Sequence, residues 1–188
     1  MRSSRQRATV ELCSSEEEVV RAVTEARRAG QTVRVVGSGH SYHQAIWPEG
    51  GRVRRISLDP MRGVRIHREG AGALVEVDAG CRLGRDPLSP SSTWSNGLNA
   101  QLQAAGLALP DLGGISHQSV AGFLSTGSSG GSVKYSVYDA VERVRFVDGT
   151  GRVHELSRGQ EQFGAAIVSL GLLGVITRVW LRAEPSYD

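Results

Sequence analysis

Two stretches of this 188-residue sequence place small residues and hydroxyls where backbone amides can act on a ligand. The first is Gly37-Ser38-Gly39-His40-Ser41-Tyr42-His43, directly after the β-branched run 32–36. The second runs from Gly113 to Gly131 and ends in Ser125-Thr126-Gly127-Ser128-Ser129-Gly130-Gly131. Glycine and serine leave successive N–H groups unobstructed, and a nest of such groups binds anions, phosphates above all. Either loop alone reads as a flexible turn. The pair, with hydroxyls at positions 38, 41, 125, 126, 128 and 129, reads as a site that grips a diphosphate or a long dinucleotide at two places.

The other candidate chemistry is thinner. Gly37-Ser38-Gly39 opens like the G-x-G of a Rossmann unit. Tyr42 stands where the third glycine belongs, and no helical pattern follows whose N-terminus would hold a pyrophosphate. His40 and His43 have H-x-x-H spacing with no carboxylate ligand pattern beside them, so no metal is expected. His67 and His154 lie in alternating, strand-like contexts. His117, next to Gln118, is expected to order the loop before Ser119. Cys13 and Cys81 have no metal spacing and make no disulfide framework.

Residues 9–13 alternate as a short strand, and Ser14 and Ser15 precede Glu17 and Glu18 as a capping box in two registers. Val19, Ala22, Val23 and Ala26 mark one helical face that ends at Gly30, and 32–36 is again a strand. Strands are expected near 52–58, 73–79 and 174–182, helices over 97–107 and 161–169. A hairpin is expected from 140–147 through Asp148-Gly149-Thr150-Gly151 to 152–156. The Pro/Ser stretch 87–95 reads as a surface loop, and there are no internal repeats.

Composition sets the class. With 39% hydrophobic and 22% charged residues the chain is neither disordered, collagen-like nor a disulfide scaffold. No apolar run reaches the length of a membrane span, and the arginines near the N-terminus precede no apolar core of a secretory signal. A reduced, cytoplasmic setting is expected. The net charge is +3, and alternating charges on strand faces account for the loose arginine cluster at 52–68, so nucleic acid is not an expected partner. Glycine, at 24 residues, is nearly twice its usual frequency.

Five pieces in order carry a family resemblance. They are Val35-Val36-Gly37-Ser38-Gly39-His40-Ser41, Val77-Asp78-Ala79-Gly80, Gly106-Leu107-Ala108-Leu109-Pro110, the segment Gly114 to Gly131, and Leu173-Gly174-Val175-Ile176-Thr177. Over residues 9–183 the chain resembles the FAD-binding domain of the vanillyl-alcohol oxidase / p-cresol methylhydroxylase (PCMH-type) flavoproteins, nearest to aldonolactone and alditol oxidases. The resemblance implies an α+β fold of two lobes, 9–58 and 59–183, between short tails at 1–8 and 184–188, with FAD extended between the lobes. It implies that Gly37, Ser38, Gly39, His40, Ser41 and Tyr42 receive the pyrophosphate. Ser119, Gly122, Ser125, Thr126, Gly127, Ser128 and Ser129 would line the isoalloxazine and the rest of the pyrophosphate, and the backbone at Gly174 and Ile176 would touch the adenine end. His40 holds the position that in many similar enzymes is bonded covalently to the flavin.

The implied reaction is oxidation of a CH–OH group of a polyol, sugar lactone or related alcohol. Hydride would pass to flavin N5, and electrons onward to O₂ or another acceptor. Two departures stand out. Related sequences often read Thr-Gly-x-His-Gly where this one reads Thr126-Gly127-Ser128-Ser129-Gly130, so a second histidine contact to the flavin is not expected. The sequence also ends at Asp188, just past the FAD domain, which is expected to leave out the substrate (cap) domain and its general base. A fragment, one subunit of a split enzyme and a non-catalytic FAD-binding module are the three readings of that ending, and no catalytic base is assigned.

Overall fold

The computed structural model describes residues 9–41 and 51–187. Tyr42 and His43 of the first loop lie outside the described residues. Two sheets organise the chain. In the first, β1 (Val10–Leu12) and β2 (Thr32–Val35) both pair in parallel with a central β3 (Val53–Ser57). Helix α1 (Glu16–Arg28) makes the crossover from β1 to β2. Ser15 caps it, its hydroxyl accepting from the Glu18 N–H at 3.3 Å, while the Glu18 carboxylate reaches back to the Ser14 N–H at 2.7 Å. Three glutamates in the first turn and Arg27 and Arg28 in the last suit the helix dipole. The buried face is Val19, Ala22, Val23 and Ala26, the face that the apolar spacing predicts.

The second sheet has the order β4-β5-β9-β7-β8, from β4 (Val64–Glu69), β5 (Gly72–Asp78), β7 (Val141–Val147), β8 (Val153–Ser157) and β9 (Val175–Pro185). A short β6 (Leu107–Ala108) pairs with the end of β9, and all of these pairings are antiparallel. Along β5, Ala73, Val75 and Val77 are buried and alternate with Leu74, Glu76 and Asp78. That face packs with Val179, Leu181 and Ala183 of β9 and Val144 of β7 in one core. β4 lies outside the strand ranges expected above, although His67 within it has a strand-like context: Val-Arg-Ile-His-Arg-Glu has only two apolar positions, and pairing with β5 makes it a strand.

Among the described residues, four short helices complete the order: α2 (Leu98–Ala104), α3 (Val120–Ser125), α4 (Val137–Ala140) and α5 (Phe163–Ile167). The sequence gives no helical signal for α3 or α4, since segments of six and four residues are too short to show a helical period. α3 forms because Ser119 caps it and because Val120, Phe123 and Leu124 bury one face. Residues 79–84 hold it in place: Val120 N–H donates to Cys81 C=O, Ala121 N–H to Ala79 C=O, and Leu83 N–H to Gln118 C=O. Among the described residues, no helix is long and apolar enough to cross a membrane.

The sheets are tied together at the start of α1. The Glu16 carboxylate accepts from Arg145 Nη2 and Nε of β7 at 2.8 and 2.9 Å and from the Thr177 hydroxyl of β9 at 2.8 Å.

Candidate functional site

The two glycine bends meet. Beyond β2 the chain turns through Gly37 to Ser41, and the Ser38 hydroxyl donates to the His117 carbonyl at 2.5 Å, across 79 residues of sequence. The rings of His40 and His117 lie 5.4 Å apart, tilted by 39°. Two residues on, Ser119 accepts from the Gly122 N–H at 3.3 Å as the cap of α3. A Cβ added at Gly37 would come within 3.0 Å of the Ser119 Oγ, and one at Gly122 within 2.9 Å. Small residues at 37 and 122 are therefore what let the two bends pass each other at Ser119.

Between the sheets runs a cleft of about 790 Å³, within the usual range of small-molecule sites. Gly37, Ser38, Gly39, His40 and Ser41 line it on one side, with Ser119, Gly122, Ser125, Thr126, Gly174 and Ile176 on the other. Gly127, Ser128 and Ser129 are not among the lining residues. Ser128 instead works within its loop: its hydroxyl accepts from Gln118 Nε2 at 3.1 Å, and its carbonyl accepts from the Tyr138 hydroxyl at 2.9 Å. Tyr138 also reaches the Leu124 carbonyl at 3.2 Å, so it ties the end of α3 to the second bend. Burial raises its hydroxyl pKa to about 12, which keeps it a donor.

Several lining residues lie outside the set that the sequence assigned to the site, although Gly80 stands in one of the motifs that carry the family resemblance. Gly80 sits where β5 leaves its sheet and crosses the end of β3; a Cβ there would fall 1.8 Å from the Leu58 carbonyl oxygen, so this crossing admits only glycine. Arg82 is buried between Asp59 (2.8 Å) and Asp86 (3.2 Å), and Asp59 also meets Arg62 at 2.6 Å. These ion pairs hold the turn that carries residues 79–84, and both Arg82 and Asp59 face the cleft. Arg34, on β2, lines the cleft with its Nε buried and without a hydrogen-bond partner among the described residues. An alternating β-strand pattern hid it, because an arginine there reads as solvated. At the hairpin end of the cleft, the Thr150 hydroxyl, the His154 ring and nearby N–H groups hold the Asp148 carboxyl well below the usual carboxylate range.

The donor set fits a dinucleotide. Small-residue bends crowd around one hydroxyl, an orphaned guanidinium nitrogen lies on the wall, and the cleft is long enough to be lined by both sheets. Cys13 and Cys81 take no part: both are buried, and burial raises their thiols to about 11 and about 12.

Comparison with known proteins agrees with this geometry. A family model described as an FAD binding domain matches residues 8–86 and 87–157. The D-arabinono-1,4-lactone oxidase of Eremothecium gossypii is 34% identical over 177 residues, covering 93% of this chain and 31% of that protein. The L-gulono-1,4-lactone dehydrogenase of Mycobacterium tuberculosis is 31% identical over 175 residues, covering 93% of this chain and 37% of that protein. The crystal structure of cholesterol oxidase from B. sterolicum has a TM-score of 0.77 at 18% identity, over 93% of this chain and 34% of that one, a likeness of fold. The chain thus spans about a third of the length of the curated relatives it matches. With both glycine bends on one cleft and the family match running through both, this chain belongs to the FAD-binding domains of the PCMH type.

Proposed function

We propose that this chain is the cofactor-binding part of a flavin-dependent oxidoreductase that oxidises a CH–OH group of a sugar lactone, polyol or related alcohol. The observation that carries the proposal is the single cleft shared by the bends at 37–41 and 119–126. The relatives named as lactone oxidase and lactone dehydrogenase support the substrate class. The flavin, when bound, accepts the hydride and passes electrons to O₂ or another acceptor. The chain's own residues bind and orient it. Backbone N–H groups of Gly37 to Ser41 hold the diphosphate, and Arg34 adds positive charge. The hydroxyls of Ser119, Ser125 and Thr126 supply further hydrogen bonds, and Gly174 and Ile176 supply backbone contacts. The arrangement of two sheets supports lobes at 9–58 and 59–183.

His40 is proposed as the covalent attachment point, since it stands on the cleft wall beside the first bend. A substrate domain, in this polypeptide or another, is proposed to supply the base and most substrate contacts. The two free, buried thiols suit a reducing setting, the cytoplasm.

Purified chain should be yellow, and the colour should stay with the acid-precipitated pellet. His40→Ala should release the colour to the supernatant while FAD still raises the melting temperature. Colourless protein whose melting temperature does not respond to FAD would reject the cofactor reading. Wild-type colour lost to the supernatant would reject only the covalent link.

A further inference from the structure

Residues 85–96 interrupt a helix. α2 begins at Leu98, with Gly97 as an N-cap that offers no side chain. Its first donors are met from before the loop: the Leu98 N–H donates to the Arg82 carbonyl at 2.8 Å, and the Asn99 N–H to the Leu83 carbonyl at 2.9 Å. With 85–96 taken out, each acceptor would stand four residues before its donor, the α-helical spacing. The ends of the loop touch, since a Cβ on Gly97 would lie 2.8 Å from the Gly84 Cα. The family match also breaks inside this segment, between residues 86 and 87. The segment is therefore an Ω-loop set into the first turn of a helix that closes without it.

The loop is built to hold its shape. The Ser92 hydroxyl accepts from the Asp86 N–H at 2.8 Å, the Asp86 carboxylate from the Leu88 N–H at 3.0 Å, and the Asn96 side chain from the Thr93 N–H at 2.9 Å. Its middle is pinned to the body by Ser91, whose carbonyl and hydroxyl accept from the Arg62 guanidinium at 2.6 and 2.8 Å. A knuckle is left on either side of the pin. One carries Leu88, 82% exposed, and the other Trp94, 63% exposed. From residue 85 to residue 110 the charged residues are Arg85 and Asp86 alone. Asp86 is buried against Arg82, whereas Arg85 is exposed and makes no ion pair among the described residues.

The loop thus presents an indole, a leucyl side chain and a cation, with no exposed carboxylate beside them. Indole rings sit at the headgroup level of a bilayer, leucine reaches the acyl boundary, and arginine is drawn to anionic headgroups. The apolar side chains stand on either side of a polar pin; a fluid surface takes up both, where a protein partner would need a pocket for each. A preorganised loop loses little conformational freedom on docking, and the chain's net charge of +3 adds to the attraction. We propose that the loop 85–96 is an insertion that docks this chain peripherally on an anionic lipid surface through Leu88, Trp94 and Arg85. The inference does not rest on the cofactor reading.

The test is sedimentation of the full chain with phosphatidylglycerol vesicles and with phosphatidylcholine vesicles. The parent should bind the anionic vesicles more tightly than the neutral ones. The double variant Leu88→Ser/Trp94→Ser should lose about tenfold or more in vesicle affinity, and Arg85→Gln about fivefold. Both should melt near the parent temperature, as substitutions at exposed positions do. A deletion of 85–96 that joins Gly84 to Gly97 should still melt cooperatively and should lose vesicle binding. A parent that stays in the supernatant, or a double variant within twofold of the parent, would overturn the lipid assignment. So would a parent dimer in size exclusion that the double variant turns into a monomer, which would give the loop to a second copy of the chain. A deletion protein with no cooperative melt would overturn the reading of the loop as an insertion.

Discussion

Ser119 is the residue on which the site closes. Its Oγ caps α3 and is approached from two sides by glycines that leave it just enough room. Gly37→Ala puts a methyl 3.0 Å from that oxygen, tighter than ordinary contact, and the serine must shift by a few tenths of an ångström. Because the neighbour is a side chain, the fold should survive. The bend should not keep its shape: FAD affinity in a titration should drop about tenfold, as overpacking of this kind costs about 1–3 kcal/mol. Unchanged affinity would mean that the first bend does not touch the cofactor. The sequence made the two bends legible as small-residue clusters. It did not show that Ser119 lies between them, because residues 37 and 119 are neighbours only through the crossing of two sheets.

At the scale of elements, α3 and the bend after it depend on Tyr138, the second residue of α4. Its hydroxyl meets the carbonyl of Ser128 and that of Leu124, which also accepts from the Gly127 N–H at 3.1 Å where α3 ends. Tyr138→Phe keeps the ring and removes the donor. Urea melts should show a loss of about 1–2 kcal/mol, the usual effect of taking the partner from a half-buried carbonyl such as that of Ser128. The variant should also bind FAD more weakly, since Ser125 and Thr126 are carried on the same segment; an unchanged melt would show that water replaces the hydroxyl. The sequence assigned the long, strongly patterned elements well: α1 with its cap, the hairpin of β7 and β8, and α2 within 97–107. It did not separate α3 and α4 from the surrounding loop. Helices of six and four residues form by capping and burial against β9 and β7, not by propensity.

For the whole molecule, the cleft exists only while the two sheets keep their distance, and Glu16 is the tie that spans them. Hydrogen bonds from Arg145, the largest influence, and from Thr177 hold its carboxyl below its ordinary value. A carboxyl so lowered stabilises the fold above the unfolded-state value, near pH 4, and that contribution fades as pH falls through the folded-state value. Glu16→Gln should therefore melt lower at pH 7, with a loss of about 1–2 kcal/mol. The gap to wild type should narrow below about pH 4. A gap that stays constant between pH 7 and pH 3 would show that the charge of Glu16 carries none of the tie.

The sequence by itself determined the local devices: which runs bury a face every second or every third to fourth residue, where α1 starts and stops, and which loops are small enough to expose their amides. Those follow from steric freedom and apolar periodicity, properties that neighbouring residues share. The tertiary structure decided the rest. It chose which bend faces which, buried Arg82 between two aspartates, left the Arg34 Nε without a hydrogen-bond partner among the described residues, and set Leu170 in left-handed backbone on the cleft. Each of these depends on groups far apart in the chain, brought together by sheet packing, and no short stretch of sequence holds that information.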